Sequence, residues 1–338
     1  AASIRRALIY EGYSVEVVHD GAQALACARD HQPDLVILDV MMPEVDGVDI
    51  CTSSDTHHEI ILASLAAGKH LITEKPVGYN LEQCREMRWY ARQYAHLKMA
   101  VGYSLRYHSI HIEARRLIRE GAIGRPTYGH VEHSHGGHGM SGVFDRPAGP
   151  RSALSDRSSG SYIAGSELTS TTHPFDLCRY LFGDVKDVFA FKQPYGVFVT
   201  MRFESGATVQ CTSGSVSRVQ PNVLTVQGTD GVLQTRNEYV PPVGTKGKAE
   251  EEVDLVLVMK PRGFYINGQG YHEIKVDKLV VGHGDEARCT NFLDAVFHDA
   301  ELISPLDDAI KTTELLHAIR DSHDHEIRVP IHYQEKTG

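Results

Sequence analysis

The sequence has few of the residues that build disulfide scaffolds, metal centres or membrane spans. Its six cysteines are widely spaced and form no C-x-x-C pair: Cys27, Cys51, Cys84, Cys178, Cys211 and Cys289. This spacing favours reduced thiols in a cytoplasmic protein over a disulfide framework or a zinc site. No apolar run approaches the roughly 18–20 residues that cross a bilayer, and no signal peptide is visible. We therefore expect no membrane partner.

An excess of positive charge is also lacking. The chain has 34 Lys and Arg residues against 44 Asp and Glu residues, which gives a net charge of −10. A nucleic-acid surface needs clustered cations that neutralise phosphates, whereas the basic residues here are scattered. The length of 338 residues favours two domains, and 41% hydrophobic residues are ordinary for a globular protein.

Residues 1–104 alternate between helix and strand patterns. The apolar run at 35–38 indicates a strand that is buried on both faces of a parallel sheet. Further strands are predicted at 48–52, 70–73 and 98–103, and helices at 56–67 and 81–94. This alternation predicts a Rossmann-like, doubly wound parallel sheet.

Residues 105–338 have a different pattern, with consecutive strands joined by short turns. A largely antiparallel open sheet is therefore expected in an α+β domain. Strands are predicted at 126–133, 185–192, 196–204, 207–213, 222–227, 253–259 and 273–281, and helices at 173–182, 285–299 and 305–321. The segment 134–166 is rich in Gly, Ser, Arg and Pro and is predicted to be a long loop.

Six segments carry a more specific signal because they occur in a fixed order. They are CTSSDTHHE at 51–59, AGKHLITEKP at 67–76, VGYSLRY at 101–107, GAIGRP at 121–126, THPFDLCRYLFG at 172–183 and SPLDDAIK at 304–311. This set resembles the Gfo/Idh/MocA family of oxidoreductases from about residue 50 onward. The resemblance implies NAD or NADP as cofactor, a sugar or cyclitol as substrate, and a homo-oligomer formed through the open sheet.

The resemblance also implies three catalytic residues: Lys75, His173 and Asp176. A lysine ammonium near the nicotinamide stabilises the alkoxide that develops during hydride transfer. His173 is the expected proton carrier, because Pro174 suits the first helical position and the helix dipole favours a neutral imidazole. Asp176, one turn along the helix, is expected to orient His173. The alternatives are a solvated lysine, a helix-capping histidine and a solvated aspartate.

Further contacts follow from the same resemblance. The expected cofactor-binding residues are Thr52, Ser53, His57, Glu74, Lys75 and Tyr103, and the expected substrate-binding residues are Arg106, Tyr107 and Thr172. A purely structural pairing of Arg106 or Tyr107 stays open. Two positions depart from the family pattern, since Ser53 replaces the usual proline and Thr169 replaces a frequent carboxylate or amide.

Histidines cluster between residues 130 and 138: His130, His133, His135 and His138. The interpretation of this cluster as a metal site is weak because no acidic residue is placed as a third ligand. We therefore predict no metal, and expect His133 or His135 to line the substrate pocket.

Residues 1–49 resemble part of a response-regulator receiver domain, on segments that include PDLVILDVMMPEVDG at 33–47. Asp39 stands at the phosphoacceptor position. Phosphorylation also needs Mg²⁺ held by an acidic pair on the first strand, and that strand is not recognised here. We therefore expect Asp39 to be a strand-end carboxylate, and a signalling role is the weaker alternative.

The receiver-like segment occupies the place of the dinucleotide cradle. No G-x-G-x-x-G turn occurs within residues 1–104, although such a turn lets the backbone approach the pyrophosphate. Asp20 stands where a ribose-binding acid is expected, but it precedes Gly21 and suits a turn equally well. The predicted activity is therefore impaired hydride transfer, and a non-catalytic sugar-binding or chimeric protein is the alternative.

Overall fold

The structure is a computed structural model that describes residues 39–42, 45–52, 54–78, 80–134, 172–193, 196–214, 221–240, 258–276 and 285–333. The chain forms two compact units, residues 1–49 and residues 50–338. The predicted domain boundary after residue 104 lies inside the second unit and stays a prediction.

The first unit contains a β-hairpin. Strand β1 (Asp39–Met42) pairs antiparallel with β2 (Val45–Ile50), whose last residue belongs to the second unit. The strand predicted at 48–52 thus begins earlier and pairs antiparallel, which corrects the expectation of parallel pairing at this point. The predicted strand at 35–38 and Asp20 lie outside the described residues.

The second unit opens with the predicted α/β alternation. Its elements are α1 (His57–Ala66), β3 (His70–Thr73), α2 (Leu81–Gln93) and β4 (Met99–Val101). Strands β3 and β4 pair in parallel, with Leu71 opposite Met99 and Thr73 opposite Val101. Parallel pairing places both carboxyl ends at one edge, which is where ligands bind in such sheets. The Rossmann-like prediction is confirmed.

A 3₁₀ turn (Ser104–Tyr107) and α3 (Ser109–Arg119) lead into the sheet domain. Its remaining elements are β5 (Pro126–Ser134), α4 (Thr172–Phe182), β6 (Val185–Gln193), β7 (Gly196–Phe203), β8 (Thr208–Gly214), β9 (Pro221–Gly228), β10 (Gly231–Val240), β11 (Val258–Asn267), β12 (Gly270–Ile274), α5 (Asp285–His298), α6 (Leu306–His325) and β13 (Val329–Pro330).

The described strands of this domain form one nine-stranded sheet in the order β12-β11-β10-β9-β5-β8-β7-β6-β13. Only the pairing of β5 with β8 is parallel among these strands, so the sheet is mixed. This confirms the predicted, largely antiparallel sheet. Strand β10 was not predicted, because polar residues interrupt its apolar alternation.

One face of the sheet carries the core. Val131, Val209 and Leu224 of the sheet belong to one buried apolar cluster with Phe175 and Leu177 of α4. Gly129 makes the close packing possible, because a Cβ there would lie 2.5 Å from Cζ of Phe182. Burial of such side chains supplies most of the stability of a domain.

The opposite face exposes aromatic side chains. Phe189 and Phe191 of β6 are 45% and 49% exposed. The ring of Phe191 stacks on that of Phe198, with the centroids 5.2 Å apart. Among the described residues, no helix combines the length and apolarity that a bilayer crossing requires.

Helix α3 offers a matched test of the core. Ile110 is buried and Ile112 is 39% exposed on the same helix. Ile110→Ala should lower the free energy of unfolding by about 2–5 kcal/mol because it leaves a cavity, and Ile112→Ala should lower it by less than about 1 kcal/mol. Urea denaturation measures both, and equal losses would contradict this packing.

Candidate active site

The site lies at the carboxyl ends of β3 and β4. Glu74 and Lys75 follow β3, and Gly102 and Tyr103 follow β4. The amide of Gly102 donates to the carbonyl of Thr73 at 2.8 Å, so the two strand ends stay together as the strands finish. The amide of Glu74 donates to the carbonyl of Ile50 at 2.9 Å, which holds the end of β2 at the same edge.

His57 ties two loops of this edge together. The buried ring lies with Nδ1 3.0 Å from the Pro76 carbonyl oxygen and Nε2 2.9 Å from the Thr52 carbonyl oxygen. Both partners are acceptors, so a neutral imidazole donates to one of them at a time. Because backbone carbonyls lie at both ring nitrogens, His57 positions the loops, and its contact with the cofactor stays a prediction.

The loop before α1 is only partly described. Thr52 is exposed, and its hydroxyl accepts a hydrogen bond from the Thr56 hydroxyl at 2.7 Å. Ser53 lies outside the described residues. The cofactor contacts of Thr52 and Ser53 stay predictions.

Lys75 is half-buried beside Glu74. Desolvation lowers the pKa of the Lys75 ammonium, and the Glu74 carboxylate offsets part of that shift. A lysine with a lowered pKa gives up its proton more readily, which suits a proton donor in catalysis. One carboxylate oxygen of Glu74, Oε2, lies 3.4 Å from the Lys75 amide, which donates to it.

The other oxygen of Glu74 binds a residue that the sequence did not reveal. Nη1 of Arg288, on α5, forms a short ion pair with Oε1 of Glu74. The helix was predicted, but no sequence pattern marks a contact between residues 214 positions apart.

Tyr103 and His173, which were each predicted to belong to the site, are in contact. Their rings meet edge to face, with the centroids 6.2 Å apart and an interplanar angle of 87°. Tyr103 is fully buried, and its hydroxyl has no hydrogen-bond partner among the described residues. Burial raises the pKa of Tyr103 well above its usual range, so the phenol stays protonated. An unsatisfied buried hydroxyl is a candidate donor to a bound molecule.

Arg106 and Asp176 bind each other. Nε and Nη2 of Arg106 donate to the two carboxylate oxygens of Asp176, each at 2.6 Å, and both side chains are buried. The Thr312 hydroxyl also donates to Asp176, at 2.8 Å. These bonds engage the carboxylate with Arg106 and Thr312, which agrees with the structural pairing left open for Arg106. The orientation of His173 by Asp176 and the substrate contact of Arg106 stay predictions.

The ion pair belongs to a larger buried network on α4 and α6. Nη1 of Arg106 lies 2.7 Å from Oδ2 of Asp308, and Nη2 of Arg179 lies 2.7 Å from its Oδ1. Desolvation alone would raise the pKa of Asp308, but Arg179 and Arg106 outweigh it and hold that pKa well below its usual range. The two arginines therefore keep Asp308 charged at neutral pH.

Tyr107 and Thr172 remain available as predicted substrate contacts. Both are buried, and their hydroxyls have no partner in the part of the chain that the structure describes. Burial raises the pKa of Tyr107 above its usual range. His133 lies half-buried on β5, on the same sheet face as Val131, whereas His135 and His138 lie outside the described residues.

The residues present fit the nicotinamide end of a dinucleotide better than its pyrophosphate end. The buried Tyr103 hydroxyl and the polar strand ends offer donors. The G-x-G-x-x-G spacing does occur once in the sequence, at Gly137, Gly139 and Gly142. That segment follows β5 of the mixed sheet and lies outside the described residues, whereas a dinucleotide cradle opens a helix after the first parallel strand.

Comparison with known proteins agrees with this geometry. An oxidoreductase family with an NAD-binding Rossmann fold matches residues 6–103, and the Gfo/Idh/MocA C-terminal domain matches residues 111–234. A 1,5-anhydro-D-fructose reductase from Ensifer adhaerens is 30% identical over 234 residues, which cover 66% of this chain and 67% of that protein.

The chain belongs to the Gfo/Idh/MocA family. Solved structures share the fold at low sequence identity. An aldose-aldose oxidoreductase from Caulobacter crescentus complexed with glycerol has a TM-score of 0.64 at 20% identity, covering 87% of this chain and 81% of its own. An oxidoreductase from Agrobacterium radiobacter in complex with NAD⁺, L-tartaric acid and magnesium has a TM-score of 0.63 at 17% identity, with coverages of 84% and 80%.

A short segment of this Gfo/Idh/MocA protein has a different similarity. The response regulator MprA of Mycobacterium tuberculosis strain H37Rv is 51% identical over 49 residues, which cover 14% of this chain and 21% of that protein. The match supports the receiver-like fragment predicted from the sequence. Asp39 is the first residue of β1, and its side chain lies outside the described part.

The Arg106–Asp176 pair can be tested by its contribution to stability. Asp176→Asn should lower the free energy of unfolding by about 3–5 kcal/mol, because it removes the bidentate counter-charge of a buried arginine and leaves only Asp308 to compensate it. Asp299→Asn, at an exposed carboxylate that pairs with Lys98, should change stability little. Thermal and urea unfolding of both variants measure the difference, and a stable Asp176→Asn protein would contradict the structural role.

Proposed function

We propose that this chain is an NAD(P)-dependent oxidoreductase that transfers hydride to or from a sugar or cyclitol at the carboxyl ends of β3 and β4. The observation that carries the proposal is the half-buried Lys75 with its lowered pKa, at the strand edge that also bears Tyr103. His173 lies against Tyr103 and supplies a proton carrier. The names of the reductase and aldose oxidoreductase relatives support a carbohydrate substrate.

The chemistry assigns each residue one task. When bound, NAD(P) supplies the acceptor or donor of the hydride. In oxidation, the carbinol C–H bond breaks with its electron pair, and the hydroxyl proton passes to Nδ1 or Nε2 of His173. The ammonium of Lys75 then stabilises the developing alkoxide. In reduction, the carbonyl carbon receives the hydride and the carbonyl oxygen receives a proton from His173.

Substrate binding falls to the unsatisfied hydroxyls. Tyr107 and Thr172 are buried and suited to hydrogen bonding with polyol hydroxyl groups. Arg106 and Asp176 act one step away, because their ion pair joins the 3₁₀ turn after Tyr103 to the helix that carries His173.

The second candidate function is a non-catalytic sugar-binding protein. It is favoured by the lack of a glycine-rich turn within residues 1–104, because binding of the pyrophosphate depends on close backbone approach. The two candidates share the sheet domain and differ in whether dinucleotide binds.

Titration with NADH and NADPH, followed by cofactor fluorescence, separates these functions. Saturable binding is expected for the wild-type protein. Lys75→Met should retain this binding but lower kcat for oxidation or reduction of the substrate by about 10²–10⁴-fold. Lys98→Met, at a half-buried lysine paired with the exposed Asp299, serves as the matched control and should keep activity. Absence of binding to either dinucleotide would support the non-catalytic candidate instead.

We also propose that the protein is a cytoplasmic homo-oligomer formed through the open face of the sheet. Cys84, Cys178 and Cys211 are buried free thiols, which suits a reducing compartment. The exposed Phe189 and Phe191 stand next to the stacked Phe198 on this face. Apolar patches of this kind commonly mark protein interfaces.

Charge placed on this face should separate the subunits. Phe189→Asp and Phe191→Asp should reduce the mass measured by light scattering to that of a monomer, because a buried unpaired carboxylate opposes association. Phe297→Asp, at a phenylalanine of α5 that is 50% exposed, is the control and should keep the wild-type mass. A wild-type mass for the β6 variants would exclude this face.

A further inference from the structure

The ion pair between Arg288 and Glu74 has no place in the chemistry described so far. Arg288 is 7% exposed, on a helix far along the chain, yet Nη1 reaches Oε1 of the carboxylate beside Lys75. A buried guanidinium is costly to desolvate, so its position next to a proposed catalytic loop requires a physical reason.

Gly102 gives the guanidinium its path to the carboxylate. A Cβ at this residue would lie 2.5 Å from Nη1 of Arg288, and 3.2 and 3.3 Å from Oε1 and Oε2 of Glu74. Because Nη1 is the end of a flexible side chain, a larger residue at 102 would displace Arg288 before it disturbed the backbone. The glycine and the ion pair are therefore one arrangement.

The arrangement places three charged groups side by side, in the order Arg288, Glu74 and Lys75. Oε1 of Glu74 faces Arg288, while Oε2 faces the backbone amide of Lys75. Without a second cation, a half-buried carboxylate next to a lysine would form its ion pair with that lysine. Tyr107 interacts electrostatically with Arg288, but burial keeps its phenol protonated and neutral, so Tyr107 adds no charge to this group.

We propose that Arg288 is a positioning residue that binds Glu74 as its counter-ion, so that the negative charge of Glu74 does not hold the proton on Lys75. The role assigned to Lys75 rests on the proposed function. Loss of Arg288 leaves the negative charge of Glu74 uncompensated, and Lys75 then holds its proton more tightly. Loss of the Glu74 charge has the opposite effect on Lys75.

Competitive acylation of the Lys75 amine, followed by mass spectrometry of its peptide, measures how tightly Lys75 holds its proton. The measurement is made in the cofactor-free protein. Only the neutral amine reacts, so at a fixed mildly alkaline pH Arg288→Met should slow acylation by on the order of threefold. Glu74→Gln should accelerate it. Arg288→Lys, which keeps the charge, should restore the wild-type rate. An unchanged or faster rate in Arg288→Met would overturn the proposal.

Gly102→Ala provides the same test in a protein that keeps its arginine. It should also slow acylation, because its Cβ displaces the guanidinium from Glu74, and a wild-type rate would count against the proposal. If Arg288→Met does not fold, this variant decides the outcome. Arg116→Met, which removes an arginine from an exposed ion pair with Glu120, is the charge control and should react as wild type.

The labelling result is independent of cofactor binding. A protein that binds no dinucleotide can still show slower acylation in Arg288→Met, which would refute the proposed function and support the role of Arg288. A protein that binds dinucleotide but shows unchanged acylation in Arg288→Met would support the proposed function and refute the role of Arg288.

Discussion

The buried pair of Arg106 and Asp176 is the interaction on which the candidate site depends. It joins the 3₁₀ turn after β4 to α4, across 70 positions of sequence. Tyr103 precedes that turn, and His173 stands in the first turn of α4, so the pair brings their rings together. The two bonds at 2.6 Å fix the direction as well as the distance of this contact.

The remaining features of the site follow from strand geometry. Parallel pairing of β3 and β4 delivers Glu74, Lys75, Gly102 and Tyr103 to one edge. His57 then fastens the loop after β3 to the loop before α1 through two backbone carbonyls. These constraints leave the unsatisfied hydroxyl of Tyr103 at the strand edge where we propose that the nicotinamide binds. The proposed nicotinamide site is thus organised by residues from 50 onward.

Much of this architecture was predictable because its signals are local. The parallel strands β3 and β4, the helix that begins at Thr172, and the loop with Lys75 each follow from short patterns of residues. Contacts between distant residues were not predictable from one sequence. Asp176 was expected to orient His173 and Arg106 to contact the substrate, and only the fold shows that the two side chains bind each other. Arg288 gave no signal, since its partner lies 214 positions away.

The central claim is that the carboxyl ends of β3 and β4, with the start of α4, form a dinucleotide site although the opening segment carries no glycine-rich turn. Amide hydrogen exchange with and without NADH tests it most directly. The account predicts slower exchange with NADH in peptides that contain Lys75, Tyr103 and His173. Protection elsewhere, with no change in these three peptides, would contradict it.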